Sequence, residues 1–149
     1  MALTLLIVSC SEENENVNVP EVVKKSFTSQ YPNVDKVEWG IENAGEYEAE
    51  FKLGKVEMSV VLDSLGAVLE TETKIVETEL PQAVKSALTK DFSGYKIENV
   101  VKANVKDSVF YEINVEKGKV ESEIMFDVNG KLLKQQQENE ETGENEEKD

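Results

Sequence analysis

Residues 47–69 read YEAEFKLGKVEMSVVLDSLGAVL and residues 111–133 read YEINVEKGKVESEIMFDVNGKLL. Set in register at an offset of 64, they share nine identities: Tyr47, Glu48, Gly54, Lys55, Val56, Glu57, Asp63, Gly66 and Leu69 fall on Tyr111, Glu112, Gly118, Lys119, Val120, Glu121, Asp127, Gly130 and Leu133. The chain is therefore built on an internal duplication. In the first copy Tyr47, Ala49, Phe51 and Leu53 alternate with polar residues, and Val56, Met58, Val60 and Leu62 do so again after Gly54-Lys55. Period two with one apolar side predicts paired strands of a sheet with one buried face. Asp63 to Gly66 and Asp127 to Gly130 place Asp first and Gly fourth, the pattern of a type I turn closed by a glycine at positive φ. A fourth strand should follow each turn, over 67–75 and 131–137.

Upstream of the quoted stretch, Val37, Trp39 and Ile41 alternate as a first strand, with Trp39 as a core anchor. Before that, Val19, Val23, Phe27 and Tyr31 stand four apart behind Pro20, which predicts a helix with proline in its first turn. Leu80, Pro81, Val84, Lys85, Leu88 and Phe92 repeat Val19, Pro20, Val23, Lys24, Phe27 and Tyr31 at an offset of 61. Pro32-Asn33 and Ser93-Gly94 end the two helices. The change of offset from 61 to 64 places a three-residue insertion in the first hairpin of the second copy, near Lys106-Asp107-Ser108, where a hairpin tip tolerates it. The expected fold class is α+β: two tandem units, 19–76 and 77–137, each a helix followed by a four-stranded antiparallel meander. The helices should pack on one face of the sheets and leave the other open.

Tyr31-Pro32, Trp39, Tyr47-Glu48-Ala49-Glu50-Phe51 and Asp63 to Gly66, in this order and in tandem, resemble the PepSY-like domain of secreted and lipid-anchored envelope proteins. That domain is similar in fold to β-lactamase inhibitory protein. The resemblance spans nearly all of 19–137, and the second copy departs from it, with Asn99 standing for the tryptophan and Ser93 for the proline. It implies a protein-binding domain without an enzymatic activity or a cofactor.

Strand parity nominates residues for the open face. Glu48, Glu50 and Glu57 should share it in the first unit, where carboxylates on neighbouring strands could form an acid and base pair, hold calcium, or simply face solvent. Glycosidases need a carboxylate in a cleft with a raised pKa and calcium needs oxygens converging from a loop, and no Asp-x-Asp-x-Asp loop appears, so a solvated strand face is the expected reading. Parity also puts apolar side chains outward: Val61 and Val68, matched by Met125 and Leu132 in the second copy, together with Phe110. They are expected either to be buried between the units or to form a partner-binding patch. Tyr47 and Tyr111 fall in the buried series.

Composition narrows the function classes. The 149 residues contain no histidine and one cysteine, so His-dependent triads, His-ligated zinc, an intramolecular disulfide and multi-cysteine metal sites are excluded. A net charge of −15 repels phosphate backbones, and nucleic acid is not an expected partner. Residues 138–149, with net charge −6, read as a disordered acidic tail.

At the other end, the apolar run Leu3 to Val8 is too short to span a bilayer but fits the core of a secretory signal. Ile7-Val8-Ser9-Cys10 resembles the lipobox of bacterial lipoproteins, which would make 1–9 a signal peptide and Cys10 the lipidated residue. The acidic Ser11 to Asn16 then lies in a tether, 10–18. Ile7 stands where leucine is usual, and no Lys or Arg precedes the run, as expected if the true start lies upstream. The alternative is a hydrophobic N-terminal strand with an incidental cysteine. The expected protein is thus a non-enzymatic outer-membrane lipoprotein of a Gram-negative cell envelope, periplasmic or surface-exposed. It would touch the membrane only through its lipid and bind an envelope protein as inhibitor, regulator or assembly factor. The alternative function is an envelope glycan- or divalent-cation-binding module.

Overall fold

Pro20 and Pro81 each stand just ahead of a ten-residue helix, α1 (Glu21–Gln30) and α2 (Gln82–Asp91). Neither proline has an N–H to leave unpaired in the first turn, and its fixed φ suits the entry to a helix. In the computed structural model, which describes residues 17–138, the helices are set among eight strands. These are β1 (Val37–Asn43), β2 (Glu46–Leu53), β3 (Val56–Asp63), β4 (Val68–Lys74), β5 (Lys96–Val105), β6 (Ser108–Lys117), β7 (Val120–Asp127) and β8 (Leu132–Glu138). The signal peptide, Cys10 and residues 139–149 lie outside the described residues, and Glu138, expected to begin the acidic tail, ends β8.

All eight strands form one antiparallel sheet in the order β1 to β8. The α+β class stands, but the expected pair of separate four-stranded sheets is corrected: β4 pairs with β5, from Glu70 opposite Val105 to Lys74 opposite Val101, and joins the copies edge to edge. The insertion near Lys106 lengthens strands rather than the tip. β5 and β6 have ten residues each against seven and eight in β1 and β2, and their turn is still two residues, Lys106 and Asp107.

Both helices lie on the same side of the sheet. Val19, Val23 and Phe27 pack with Ala49, Phe51, Val60 and Leu62, while Leu80, Val84, Leu88 and Phe92 pack with Val100, Tyr111, Ile113, Val115, Ile124 and Phe126. Trp39 is half-buried and meets Phe27 edge-on at 5.4 Å. Its counterpart in the second copy is Val100, not Asn99: Val100 pairs with Ile113 as Trp39 pairs with Ala49, and a β-bulge between Ile97 and Asn99 turns Asn99 to the other face.

The Asp-x-x-Gly turns are alike in both copies. Asp63 Oδ1 accepts the N–H groups of Leu65 and Ala67 at 2.9 Å, and Asp127 Oδ1 accepts those of Asn129 and Lys131 at 2.9 Å. The short aspartate thus holds the turn that Gly66 (φ 86) and Gly130 (φ 77) close in the left-handed region. The same glycines touch the helices. A Cβ on Gly66 would stand 2.9 Å from Ser26 Cβ, and one on Gly130 2.5 Å from the backbone oxygen of Ala83. Ser26 Oγ also donates to the Gly66 carbonyl at 2.6 Å. Each turn is therefore a seat for its helix.

Candidate functional site

The face opposite the helices is set by register, because residues paired across an antiparallel ladder point to the same side. One row crosses the first copy as Gly40, Glu48, Val61 and Glu70, and its counterpart crosses the second as Val101, Glu112, Met125 and Lys134. A neighbouring row runs Glu38, Glu50, Ser59, Glu72, Ala103, Phe110 and Asp127. Among the described residues no helix packs against this face.

Of the apolar residues expected here, Val61, Met125 and Phe110 lie on this face, and Val68 and Leu132 do not. Val68 pairs with Leu62 and Leu132 with Phe126, both core residues, after register shifts between Val61 and Leu62 and between Met125 and Phe126. A bulge adds one residue and reverses parity beyond it, so these two side chains sit at the rim of the helix side, 39% and 40% exposed. Val61 and Met125 are only 6% and 8% exposed, so this chain itself buries them. Phe110 is half-buried.

The candidate glutamates separate as well. Glu57 is held by Lys74 at 2.9 Å and Lys52 at 3.1 Å, and these bonds, Lys74 first, keep its carboxyl below the usual range. Glu50 is exposed. Glu48 is half-buried, and burial first, then Glu50 and Glu42, raises its pKa against a bond from Ser59.

The centre of the face is a cluster the sequence did not single out. Glu70 and Glu72 stand two apart on β4, and Glu112 reaches toward them from β6. One carboxylate oxygen from each lies within 4.8 Å of the others. Glu72 and Glu112 are buried, 7% and 2% exposed, and Glu70 is half-buried. Ser59 Oγ donates to Glu72 Oε2 at 3.1 Å. Neither oxygen of Glu112 and not Oε1 of Glu70 has a hydrogen-bond partner. Lys134 lies near but bonds Glu123 at 2.9 Å.

Three converging carboxyl groups, two of them buried and one half-buried, cannot all ionise cheaply. Burial, then Glu112, Glu70 and Glu48, pushes Glu72 up to about 9, with the Ser59 bond opposing. Burial, then Glu42, Glu48 and Glu46, pushes Glu70 up to about 7, opposed by a hydrogen bond with Glu72. Burial, then Glu123 and Glu70, pushes Glu112 up to about 7 against the field of Lys134. From about pH 4.5 to 9 the folded cluster therefore holds more protons than the unfolded chain, whose carboxyls titrate near 4.5. The stabilisation from those protons is fully present below 4.5 and is lost as pH rises through 7 toward 9. Without divalent cations, urea unfolding at pH 5 and 8.5 should show the protein less stable at 8.5, by about 1.4 kcal/mol per pH unit for each extra proton held. Glu72→Gln should flatten the slope. Stability rising with pH in the wild type would contradict the cluster.

The identity of Glu48 with Glu112 was the available signal for one member of this cluster. Nothing in the sequence showed that β4 joins β5, which is what brings Glu72 and Glu112 together.

Solved structures share this architecture. A DUF2874 family protein from Bacteroides uniformis superposes with a TM-score of 0.73 at 21% identity, covering 79% of this chain and 88% of its own. A BLIP-like protein from Bacteroides fragilis gives 0.66 at 23% identity, covering 79% and 85%. A Bacteroides eggerthii protein described as periplasmic gives 0.75 at 22% identity, covering 80% and 88%. Comparison with curated proteins yields no match. These likenesses concern the fold alone. The sequence itself matches the beta-lactamase-inhibitor-like, PepSY-like family twice, over residues 13–70 and 45–134, as a duplicated chain should, and the protein belongs to that family.

Proposed function

We propose that this is a non-enzymatic binding protein of the bacterial envelope that docks another protein on the sheet face opposite its helices. The observation that carries the reading is the one-sided layering: α1 and α2 share a face, and no described helix covers the other across eight strands. Half-buried Phe110 lies on that uncovered side with Ala103 and Asp127 as its cross-strand neighbours, and exposed Glu50 and Asn114 lie elsewhere on the same face, a mix of apolar and polar side chains as in protein interfaces. Membership of an inhibitor-like family supports binding rather than catalysis, and the periplasmic description of the Bacteroides eggerthii protein supports an envelope location. Cys10, with its lipobox-like approach, would carry the anchor to the outer membrane.

A photo-crosslinking side chain placed at Phe110, with one at Val22 on the exposed side of α1 as control, tests the surface in intact cells. A discrete protein adduct is expected from position 110 and none from 22. No adduct at 110, or equal capture at both, would overturn the docking face. Cys10→Ala should move the protein from membrane to soluble fractions, and a soluble wild type with an intact Met1 terminus would remove the anchor from the proposal.

A further inference from the structure

We infer that Glu70, Glu72 and Glu112 form a binding site for one hard divalent cation of the calcium class. The inference does not depend on protein docking. β4 and β6 are separated by β5, so their backbones stand about 10 Å apart. The two sets of glutamates meet only by leaning over the strand between them. At that point β5 presents Ala103, fully buried, paired with Glu72 and diagonal to Glu112. Its methyl group leaves the carboxylates free to converge. Calcium takes oxygens at about 2.3–2.6 Å, so oxygens on opposite sides of one ion stand about 4.6–5.2 Å apart. The three glutamate oxygens, all within 4.8 Å of one another, are close enough to share one such ion.

Convergence alone would describe many acidic surfaces. The second observation is the hydrogen-bond deficit of Glu112, a carboxylate 2% exposed whose two oxygens accept from nothing. Buried carboxylates ordinarily sit against donors. Ser59 donates to Glu72, and Lys134 bonds Glu123 and reaches Glu112 through its field without a hydrogen bond to either of its oxygens. Two open oxygens suit bidentate ligation, and Glu70 Oε1 is open too. A donor set of oxygen without nitrogen or sulfur selects hard cations over zinc. Half-buried Glu70 gives an entry from solvent, while buried Val61, Val101 and Met125 flank the rest in the strand pairing. Protons and the ion compete for the same oxygens, so binding should strengthen with pH and release protons.

The test is calorimetric titration of calcium chloride into the full chain at pH 6 and 8.5, with melting followed in parallel. One saturable site is expected at pH 8.5, tighter than about 1 mM, weaker at pH 6, with a heat that changes with the buffer's ionisation enthalpy and a raised melting temperature. Glu112→Gln, and independently the half-buried Glu70→Gln, should weaken it at least tenfold, while Glu50→Gln, exposed on the same face, should not. No saturable binding at about ten times that concentration, or equal loss in all three variants, overturns the inference. The first result would mean that protons alone neutralise the cluster, the second that calcium binds to diffuse surface acid.

Discussion

Gly130→Ala is expected to lower stability by about 2–6 kcal/mol, a large part of the 5–15 typical of a domain. Two costs combine. The backbone there has φ +77°, where a residue with a side chain is strained by about 1–3 kcal/mol. The new methyl would also lie 2.5 Å from Ala83 O, 2.7 Å from Ala83 C and 3.2 Å from Val84 N. These are main-chain atoms at the start of α2, so no side chain can swing aside and the helix must shift. Overpacking of that kind costs about 1–3 kcal/mol more. Gly118→Ala separates the two costs, since its φ is +70° with nothing within 4 Å of the added atom. Gly66→Ala should fall between, its tightest contact being 2.9 Å. Urea unfolding of the three variants tests the order. Gly130→Ala no worse than Gly118→Ala would show that the turn does not seat the helix.

Val61→Glu is expected to cost about 3–5 kcal/mol, the range for a buried charge without a partner. The residue is 6% exposed and pairs with Glu48 on one side and Glu70 on the other, so the new carboxylate would stand between two existing acids. Val68→Glu should stay within about 0.5 kcal/mol, because a 39% exposed rim position leaves the charge in water. Simple alternation through the Asp63 turn makes these two valines equivalent, whereas the bulge separates them. Equal thermal shifts in the two variants would argue against the observed register.

Local physics was legible in the sequence and long-range pairing was not. Helix starts, alternating strands and the Asp-x-x-Gly turns each depend on residues a few positions apart, and a duplication reports every such feature twice. Trp39 and the two tyrosines fell into the helix-side series for that reason. Val68 and Leu132 were misplaced because a bulge is a single-residue event that a period-two pattern hides. Asn99 was aligned with Trp39 for a similar reason, a bulge in β5 without an equivalent opposite Trp39. The acid cluster needed more than parity. Glu48 was a candidate, its repeat Glu112 was visible only as an identity, and Glu70 and Glu72 read as the polar side of a fourth strand. Their meeting with Glu112 is a property of the β4–β5 seam, which no local pattern encodes.

That seam has a consequence for how the duplication could persist. An isolated four-stranded unit of the first copy would end in β4, and one of the second would begin with β5, each presenting a ladder of unpaired N–H and C=O groups to any other chain. Fusing the copies closes both ladders against each other, so the tandem protein has two strand edges, β1 and β8, where two separate units would have four. Polar and charged residues mark β8 in particular, with Lys134 and the run Gln135-Gln136-Gln137 along its length. The exchange also carries a risk: β4 of one molecule can recognise β5 of another through the same bonds, so a chain that opens at the seam is a ready substrate for swapping halves with its neighbours.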